Sequence, residues 1–582
     1  MWLKFAQQYN HRPILFGILG QSQTDGEFVA MMDQKQGVRP KTKVEFVDVD
    51  GNVTDITAYY DSGGSVDWIK ERAPDEIQAG DFTIQLFNHD NKFSEYKSTS
   101  LFYNERYHRG GIRIKHGFIT SDGTEILEDQ ATGYIDELRV DKDRSMVTLR
   151  CRDLIREILD ARLHAFPTVE VPAAGASNVG NGICTKVDTK PFKTVNENWT
   201  LTCTLAGGDA TATFSVVGSV SGSVGTATSG TEFSTGTGAG GIKFTIRAGT
   251  TSWAANDTFT FTTKQYPEWS LVNPAKIIWS VLTGYNWDSN TQENWSGLVL
   301  DMSNERTVGN ADINWESFRT AIDQLDSSGL KVTGYAGYNE GANEFMQTLL
   351  LIFLGSIFTD GSGRVKIRTW APQFMGSTYR NFADSKKMTS FSYVRSVDEI
   401  INHVTVNYKK TDVWEFSDED VNYDGSYVRS DSASITNYDE YPETFTVRWF
   451  STSGAAVIDF ATRFLGKFAA PPLNMDFDTG HDALRTEIGD AVSVTESKYG
   501  FDTVFGEVTR INKQFDAVPV KIVMRVRRDD AIATLWGFLG SSDNENDGLS
   551  PQTANWDSAT ASDKLFAYLS QDGGGGPDYR MF

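Results

Sequence analysis

At 582 residues the chain exceeds one compact core and divides into roughly three to five units at typical domain sizes. Its 39 % hydrophobic content, with 36 Phe, 21 Tyr and 14 Trp, is enough to build those cores and excludes wholesale disorder. A formal net charge of -23 argues against nonspecific binding to nucleic acid or anionic membrane, which needs clustered positive charge. Three cysteines, Cys151, Cys184 and Cys203, form no CxxC pair and exclude a disulfide framework or structural zinc site, as expected of a chain folded in a reducing cytoplasm.

The N-terminal MWLKFAQQYNHRPILFGILG lacks the sustained apolar core of a signal peptide. Residues 41–60, KTKVEFVDVDGNVTDITAYY, predict two strands around an Asp50-Gly51 turn. In DFTIQLF, from 81, Phe82, Ile84 and Leu86 alternate with Thr83, Gln85 and Phe87, the period of a strand with one face in a core. A polar run studded with aromatics follows from Asn88 to Gly110, then a second alternating strand through Ile112, Ile114, His116 and Phe118. Two more strands lie in ATGYIDELRVDKDRSMVTLRCRD, through Leu138 and Val140 and through Val147, Leu149 and Cys151. RDLIREILDARL predicts a closing helix with Leu154, Ile155, Ile158, Leu159 and Leu163 on one face. Strands joined mostly by hairpins and ended by a helix suggest an antiparallel barrel or sandwich.

From about 195 to 264 the composition shifts to Gly, Thr, Ser and Ala. Short alternating runs (ATATFSVVG, GIKFTIRAG, DTFTFTT) carry Phe214, Phe233, Phe244, Phe259 and Phe261, which need a core, so a folded inserted β module is expected. Helical patterns follow. NPAKIIWSVLTGY starts with Asn273 as a cap and Pro274 at the first helical position, and NWESFRTAIDQL sets Trp315, Phe318, Ile322 and Leu325 on one face. FMQTLLLIFLGSIF, 345–358, is too short to cross a membrane and predicts a buried helix leading into a hairpin at FTDGSGRVKIRTW. The last third returns to strands: Val404, Val406 and Tyr408 in one, a helix at 454–468, then EIGDAVSVTE, FGEVTRINKQF and PVKIVMRVR, with Gly489-Asp490 as a turn.

Catalytic signatures are sparse. The seven His show no HExxH or HxH spacing, and neither GxSxG nor GxxxxGK[ST] occurs. SDEDVNYDG, with Asp418, Asp420, Asn422 and Asp424, imitates a calcium loop but has Tyr423 where Gly belongs and Arg429 where the chelating Glu belongs. SSDNENDG, with Asp543, Glu545, Asp547 and Gly548, places Ala554 at its twelfth position. No catalytic, cofactor-binding or metal-ligating residue is assigned. With 77 acidic residues, no single pair of carboxylates stands out for glycoside hydrolysis. Trp199 and Trp253 of the insert either stack on sugars or close its small core.

The order of segments carries a resemblance. DITAYYDSGGSVDWIKERAPDEIQAGDFTIQLFNHDNKFSEYKSTSLF, GGIRIKHGF, ATGYIDELRV, VTLRCRDLIREIL, NPAKIIWSVLT, INWESFRTAI, ANEFMQTLLLIFLGSIFTDGSGRVKI, IINHVTVNY and EIGDAVSVTESKYGFDTVFGEVTRI run in the same order as in the baseplate hub and tail-tip hub proteins of tailed bacteriophages, over roughly residues 40–530. The chain resembles that family.

The resemblance implies a mainly β fold with α+β parts: two tail-tube-like antiparallel β-barrels, an α/β domain and a small inserted β module, in a ring-forming trimer. The corresponding division is an N-terminal arm at 1–38, a first barrel with closing helix at 39–165, the insert at 195–264, the α/β domain at 268–375, a second barrel at 390–530 and a C-terminal extension at 531–582. It implies a non-enzymatic structural virion protein without cofactor, made in the bacterial host cytoplasm and located at the tail tip or baseplate. Its expected partners are two further copies, distal tail or tail-tube proteins, a tape measure protein and tail fibre or tip proteins, with DNA passing through the channel unbound and no integral membrane segment. The 88–110 connection then becomes either an intersubunit element anchored by Phe93, Tyr96, Phe102 and Tyr103 or a lid on its own domain. Glu137 and Glu507, alternating with apolar neighbours, are expected either on an acidic channel wall or on the outer surface. The alternative function is a receptor-binding or polysaccharide-degrading tail protein with a carbohydrate-binding insert.

Overall fold

The computed structural model describes residues 39–528 apart from 49, 71–79, 104–109, 121–122, 142–144, 186, 190–193, 236–240, 288–295, 303–307, 309, 338, 371–379, 384–387, 411–422, 451–453 and 516–520, and in addition 537–539 and 553–555. The arm at 1–38 and nearly all of the C-terminal extension lie outside the described residues.

The chain opens with eight strands: β1 (Arg39–Val47), β2 (Val53–Asp55), β3 (Tyr60–Gly63), β4 (Val66–Ile69), β5 (Asp81–Phe87), β6 (Gly111–Ile119), β7 (Glu125–Val140) and β8 (Met146–Arg152). Seven of them form one antiparallel sheet in the order β2-β1-β6-β7-β8-β5-β3. The expected turn joins β1 to β2: Gly51 has φ +83°, and the Asp48 carboxylate accepts from the amides of Asp50 and Asn52. Phe82, Ile84 and Leu86 are buried, so the alternation read in the sequence sets the inward face.

Helix α1 (Leu154–Asp160) closes this unit but is shorter than the sequence suggests. Leu163, expected on the helix face, lies on strand β9 (Arg162–Ala165), because the chain turns extended at Ala161. Asp153 caps α1, accepting from the amides of Arg156 (3.1 Å) and Gly80 (2.7 Å) and from the Thr359 hydroxyl (2.8 Å). One buried carboxylate thus ties three distant segments, and burial pushes its pKa up to about 6.

The insert starts earlier than its composition suggests. Strands β10 (Thr168–Val169), β11 (Ala173–Ala174), β12 (Ile183–Cys184), β13 (Asp188–Thr189), β14 (Glu197–Leu205), β15 (Thr213–Gly218), β16 (Gly222–Thr228), β17 (Glu232–Ser234), β18 (Ile242–Arg247) and β19 (Thr258–Lys264) pair among themselves in two sheets. Their core, with Trp199, Phe214, Phe244, Trp253 and Phe259, is separate from the other two cores. Thr168 pairs with Lys264, so the module begins and ends at neighbouring points.

Next come β20 (Glu268–Val272), α2 (Pro274–Thr283), β21 (Leu298–Asp301), α3 (Trp315–Ser327), β22 (Val332–Tyr335), β23 (Glu340–Gly341), α4 (Ala342–Ile352), β24 (Ser356–Thr359) and β25 (Val365–Arg368). Both helix starts follow the sequence: Asn273 accepts from the Ala275 amide and Asn314 from that of Ser317. Helix α4 stops at Ile352 instead of continuing to 358. At Leu354 φ is +52°, and a Cβ on Gly355 would lie 1.9 Å from the Phe353 ring, so the chain turns there and Ile357 and Phe358 fill a strand.

The last third comprises β26 (Arg380–Ala383), β27 (Thr389–Arg395), β28 (His403–Lys410), β29 (Tyr423–Ser430), α5 (Ser432–Tyr438), β30 (Pro442–Thr446), α6 (Ala455–Phe468), β31 (Leu473–Thr479), β32 (Ala491–Glu496), β33 (Phe501–Gln514) and β34 (Lys521–Arg528). Residues 403–468, expected in the second barrel, share the core of the helical unit: Val404, Val406, Trp449, Phe460 and Phe464 pack with Phe345 and Trp269. The remaining strands build a sheet in the order β26-β32-β33-β34-β31-β27, with β4 from the first unit adding to β33 by pairing Trp68 with Ile511. The expected barrels therefore correspond to two seven-stranded sheets, neither closed by hydrogen bonds between its end strands among the described residues. One core serves both: Ile84, Ile114 and Phe118 belong to the same buried cluster as Met475, Val494 and Met524.

Candidate assembly surface

Two aromatic anchors expected at an interface are interior instead. Phe93 and Phe102 are both 0 % exposed; their rings lie 5.2 Å apart, and Phe102 reaches Phe46 on β1 at 5.1 Å while Phe93 meets Tyr59 edge-on. The Asn88 side chain accepts from the Phe93 amide at 2.9 Å and fixes the turn that sends Phe93 inward. The segment is a lid on its own sheet. Its outward residues are Tyr96, 92 % exposed, and Tyr103.

The charged pair proposed for a channel also divides. Glu137 is exposed on β7. Glu507 is not on an open wall: Lys70, at the end of β4, pairs with it directly. Burial raises the Glu507 pKa, but the cations Lys70 and Lys467 outweigh it and hold the carboxyl at about 2. Along the solvent side of the second sheet, Arg510 bonds Asp67 of β4 (2.7 Å) and Arg525 bonds Asp476 (2.8 Å), a ladder of opposite charges across neighbouring strands.

Where the two sheets meet, His116 of β6 stacks on His481 at 5.4 Å and bonds Thr42 through Nδ1 at 2.8 Å. Burial, with help from His481 and Lys513, lowers the His116 pKa to about 3. The ammonium of Lys513 is buried close by and donates to Gln130 (3.0 Å) and to the Leu484 carbonyl (2.6 Å).

An open groove lies at the end of the second sheet. Strand β27, TSFSYVR, pairs on one side with β31 and on the other with no described strand. Its side chains reach across to the β32–β33 hairpin: Phe391 lies 5.6 Å from Tyr499 and 5.7 Å from Phe501, and Tyr393 lies 5.0 Å from Phe501. The sheet thus curls into a half-barrel whose seam is held by rings instead of backbone hydrogen bonds. Along it runs a groove of about 490 Å³ lined by Met388, Thr389, Ser390, Phe391, Glu496, Ser497, Lys498 and Tyr499. Tyr393 and Val394 remain 49 % and 53 % exposed. Composition alone did not single out β27, because its alternation is interrupted by a bulge between Thr389 and Ser392.

The remaining sequence candidates are structural or lie elsewhere. Trp199 and Trp253 are 0 % and 2 % exposed, so neither ring offers a face to a sugar. Asp418, Asp420, Asn422, Asp543, Glu545 and Asp547 lie outside the described residues; Asp424 sits on β29 and pairs with Lys409 at 3.2 Å. No group of three or more potential metal ligands occurs among the described residues.

No protein-family model matches the chain, and no curated protein matches it. Among solved structures it is similar to the tail protein from Neisseria meningitidis MC58, at 10 % identity and a TM-score of 0.39 over 84 % of this chain and 97 % of that one. The 43 kDa tail protein of prophage MuSo2 from Shewanella oneidensis gives 11 % and 0.38 over 84 % and 99 % of the two chains. Prophage tail protein gp18 from Listeria monocytogenes EGD-e gives 9 % and 0.36 over 83 % and 94 %. Each of the three is a tail protein.

Proposed function

We propose that the chain is a structural protein of a tailed-phage virion, the hub of a tail tip or baseplate, in which three copies close the tail tube with a ring and anchor fibre or tip proteins. The observation that carries this reading is the fusion of two seven-stranded sheets through a single core, with β4 exchanged from one to the other. Such a unit resists relative movement of its halves, as a collar under load requires. Three copies would supply six such sheets, matching a sixfold tube with a threefold tip. The collinear segments over roughly residues 40–530 support the same reading.

The mechanism is geometric: a rigid ring presents one face to the tube and tape measure protein and the other to fibres, while DNA passes without being held. Antibody labelling of virions carrying this chain is expected to mark the distal end of the tail. Label along the tube, on the capsid or absent from particles would overturn the assignment.

A further inference from the structure

The joint between the two large sheets buries an amine against a carboxamide. Lys513 of β33 sits in an inward-facing row, paired on one side with Val66 of β4 and on the other with Ile522 of β34, both buried. Such a position ordinarily takes an apolar residue. Gln130 is the extra residue of a bulge in β7: Ala131 pairs with Ile114 and Asp129 with Lys115, so Gln130 has no place in that ladder and its side chain is turned into the joint. The two residues stand 383 positions apart in the chain, are 4 % and 2 % exposed, and meet at 3.0 Å, Nζ to Oε1.

We propose that Lys513 and Gln130 join in an intramolecular isopeptide bond that fastens one sheet to the other. Given the 3.0 Å contact and the length of a C=O bond, Cδ of Gln130 lies no farther than about 4.2 Å from Nζ, near the roughly 3–3.5 Å of a reactive approach. Burial lowers the Lys513 pKa to about 8, aided by Lys366 and opposed by the carboxylates of Glu487, Asp490 and Glu128. About one amine in ten is therefore neutral and nucleophilic at pH 7. That Nζ attacks the side-chain carbonyl: the Nζ–Cδ bond forms, the Cδ–Nε2 bond breaks, and one proton passes from Nζ to the departing nitrogen, which leaves as ammonia. The balance needs no oxidant, reductant or co-reactant. His116 packs on His481 and Phe515, and His481 on Phe118, a cover that keeps away the water that would hydrolyse the carboxamide instead.

Both reacting groups are held from outside. Lys513 also donates to the Leu484 carbonyl at 2.6 Å, and Glu128, two residues before Gln130 on β7, accepts from Arg485 at 2.8 Å, so the amine and the carboxamide are positioned before they react. A second buried lysine sets the contrast. Lys70 pairs with Glu507, whose carboxyl is held ionised, and an amine does not attack a carboxylate. The Gln130 carboxamide carries no charge and stays an electrophile. The inference concerns one chain and holds whether or not that chain forms a ring.

The intact mass of the purified full chain, taken in denaturant after incubation at about pH 8, near the Lys513 pKa, tests it. The expected value is the sequence mass less one ammonia. Trypsin is expected to release a branched peptide joining residues 116–139 to residues 511–521, uncut after Lys513. Lys513→Arg and Gln130→Met are each expected to restore the full sequence mass. A wild-type chain at its full sequence mass, cleaved by trypsin after Lys513, would overturn the inference, as would a loss of ammonia that persists in either variant, the mark of a succinimide or of another linkage. If a variant does not fold, the wild-type digest decides alone: fragment ions that place the link at Lys513 and Gln130 establish the bond, and a digest without the branched peptide overturns it.

Discussion

Phe93 and Phe102 were expected to hold neighbouring subunits and instead hold the lid of the first sheet, which changes what their removal does. Each ring is completely buried, so Phe93→Ala or Phe102→Ala is expected to cost about 3–5 kcal/mol of stability. A denaturant titration checks this by a lower midpoint at unchanged slope. Loss of assembly with an unchanged midpoint would restore the interface role. Lys70 presents the complementary case. Replacing it with Ala leaves the Glu507 carboxylate without its closest cation and is expected to cost about 3–5 kcal/mol, while Lys70→Arg retains most of the stability.

Acid sensitivity has the same residue-scale origin. The folded-state pKa of His116 is lowered from 6.5 to about 3, so the unfolded chain binds the extra proton more readily. Its contribution is present above about pH 6.5 and is lost as pH falls toward 3. Glu507, lowered from 4.5 to about 2, adds a second loss between those values. Asp153, raised from 3.8 to about 6, works in the opposite direction and contributes more as pH falls through that interval. Thermal melts are expected to show stability falling from pH 6.5 to 4.5, with a smaller decline in His116→Phe; equal slopes in both proteins would remove His116 as the cause.

At the scale of elements, the insert supplies the plainest expectation. It has its own core and begins and ends at paired residues, Thr168 and Lys264. Replacing 168–264 by a short Gly/Ser linker is expected to leave a soluble chain whose melting temperature shifts by no more than a few degrees. Aggregation of the shortened chain would show that its Phe-rich strands support the main cores. Local signals for this level were legible in the sequence: the Asp50-Gly51 turn, the alternation of Phe82, Ile84 and Leu86, and the Asn273 and Asn314 caps all act within a few residues. The destination of β4 was not. Its four residues pair with a strand some 440 positions later, and no local periodicity distinguishes that partner from β3 or β5. The same holds for 403–468, whose strands and helix alternate normally but bury their apolar faces against α4 instead of the second sheet. The groove at β27 was illegible because a bulge between Thr389 and Ser392 interrupts the strand's alternation.

The whole molecule combines two fused sheets, a helical core between segments of both, and strong acidity. With 77 acidic against 54 basic residues, the purified chain is expected to bind duplex DNA weakly even at low salt, because too few cations are available to release counterions from phosphate. Tight, salt-sensitive binding in a gel-shift titration would mean that the basic side chains are gathered on one face. The central claim, a ring-forming hub, is tested most directly by electron microscopy of the purified full chain with its mass measured in parallel. The expected result is a threefold ring with a central channel, of a mass equal to three 64.6 kDa chains. A particle that remains a single chain at micromolar concentration and in the presence of its tail neighbours would contradict it.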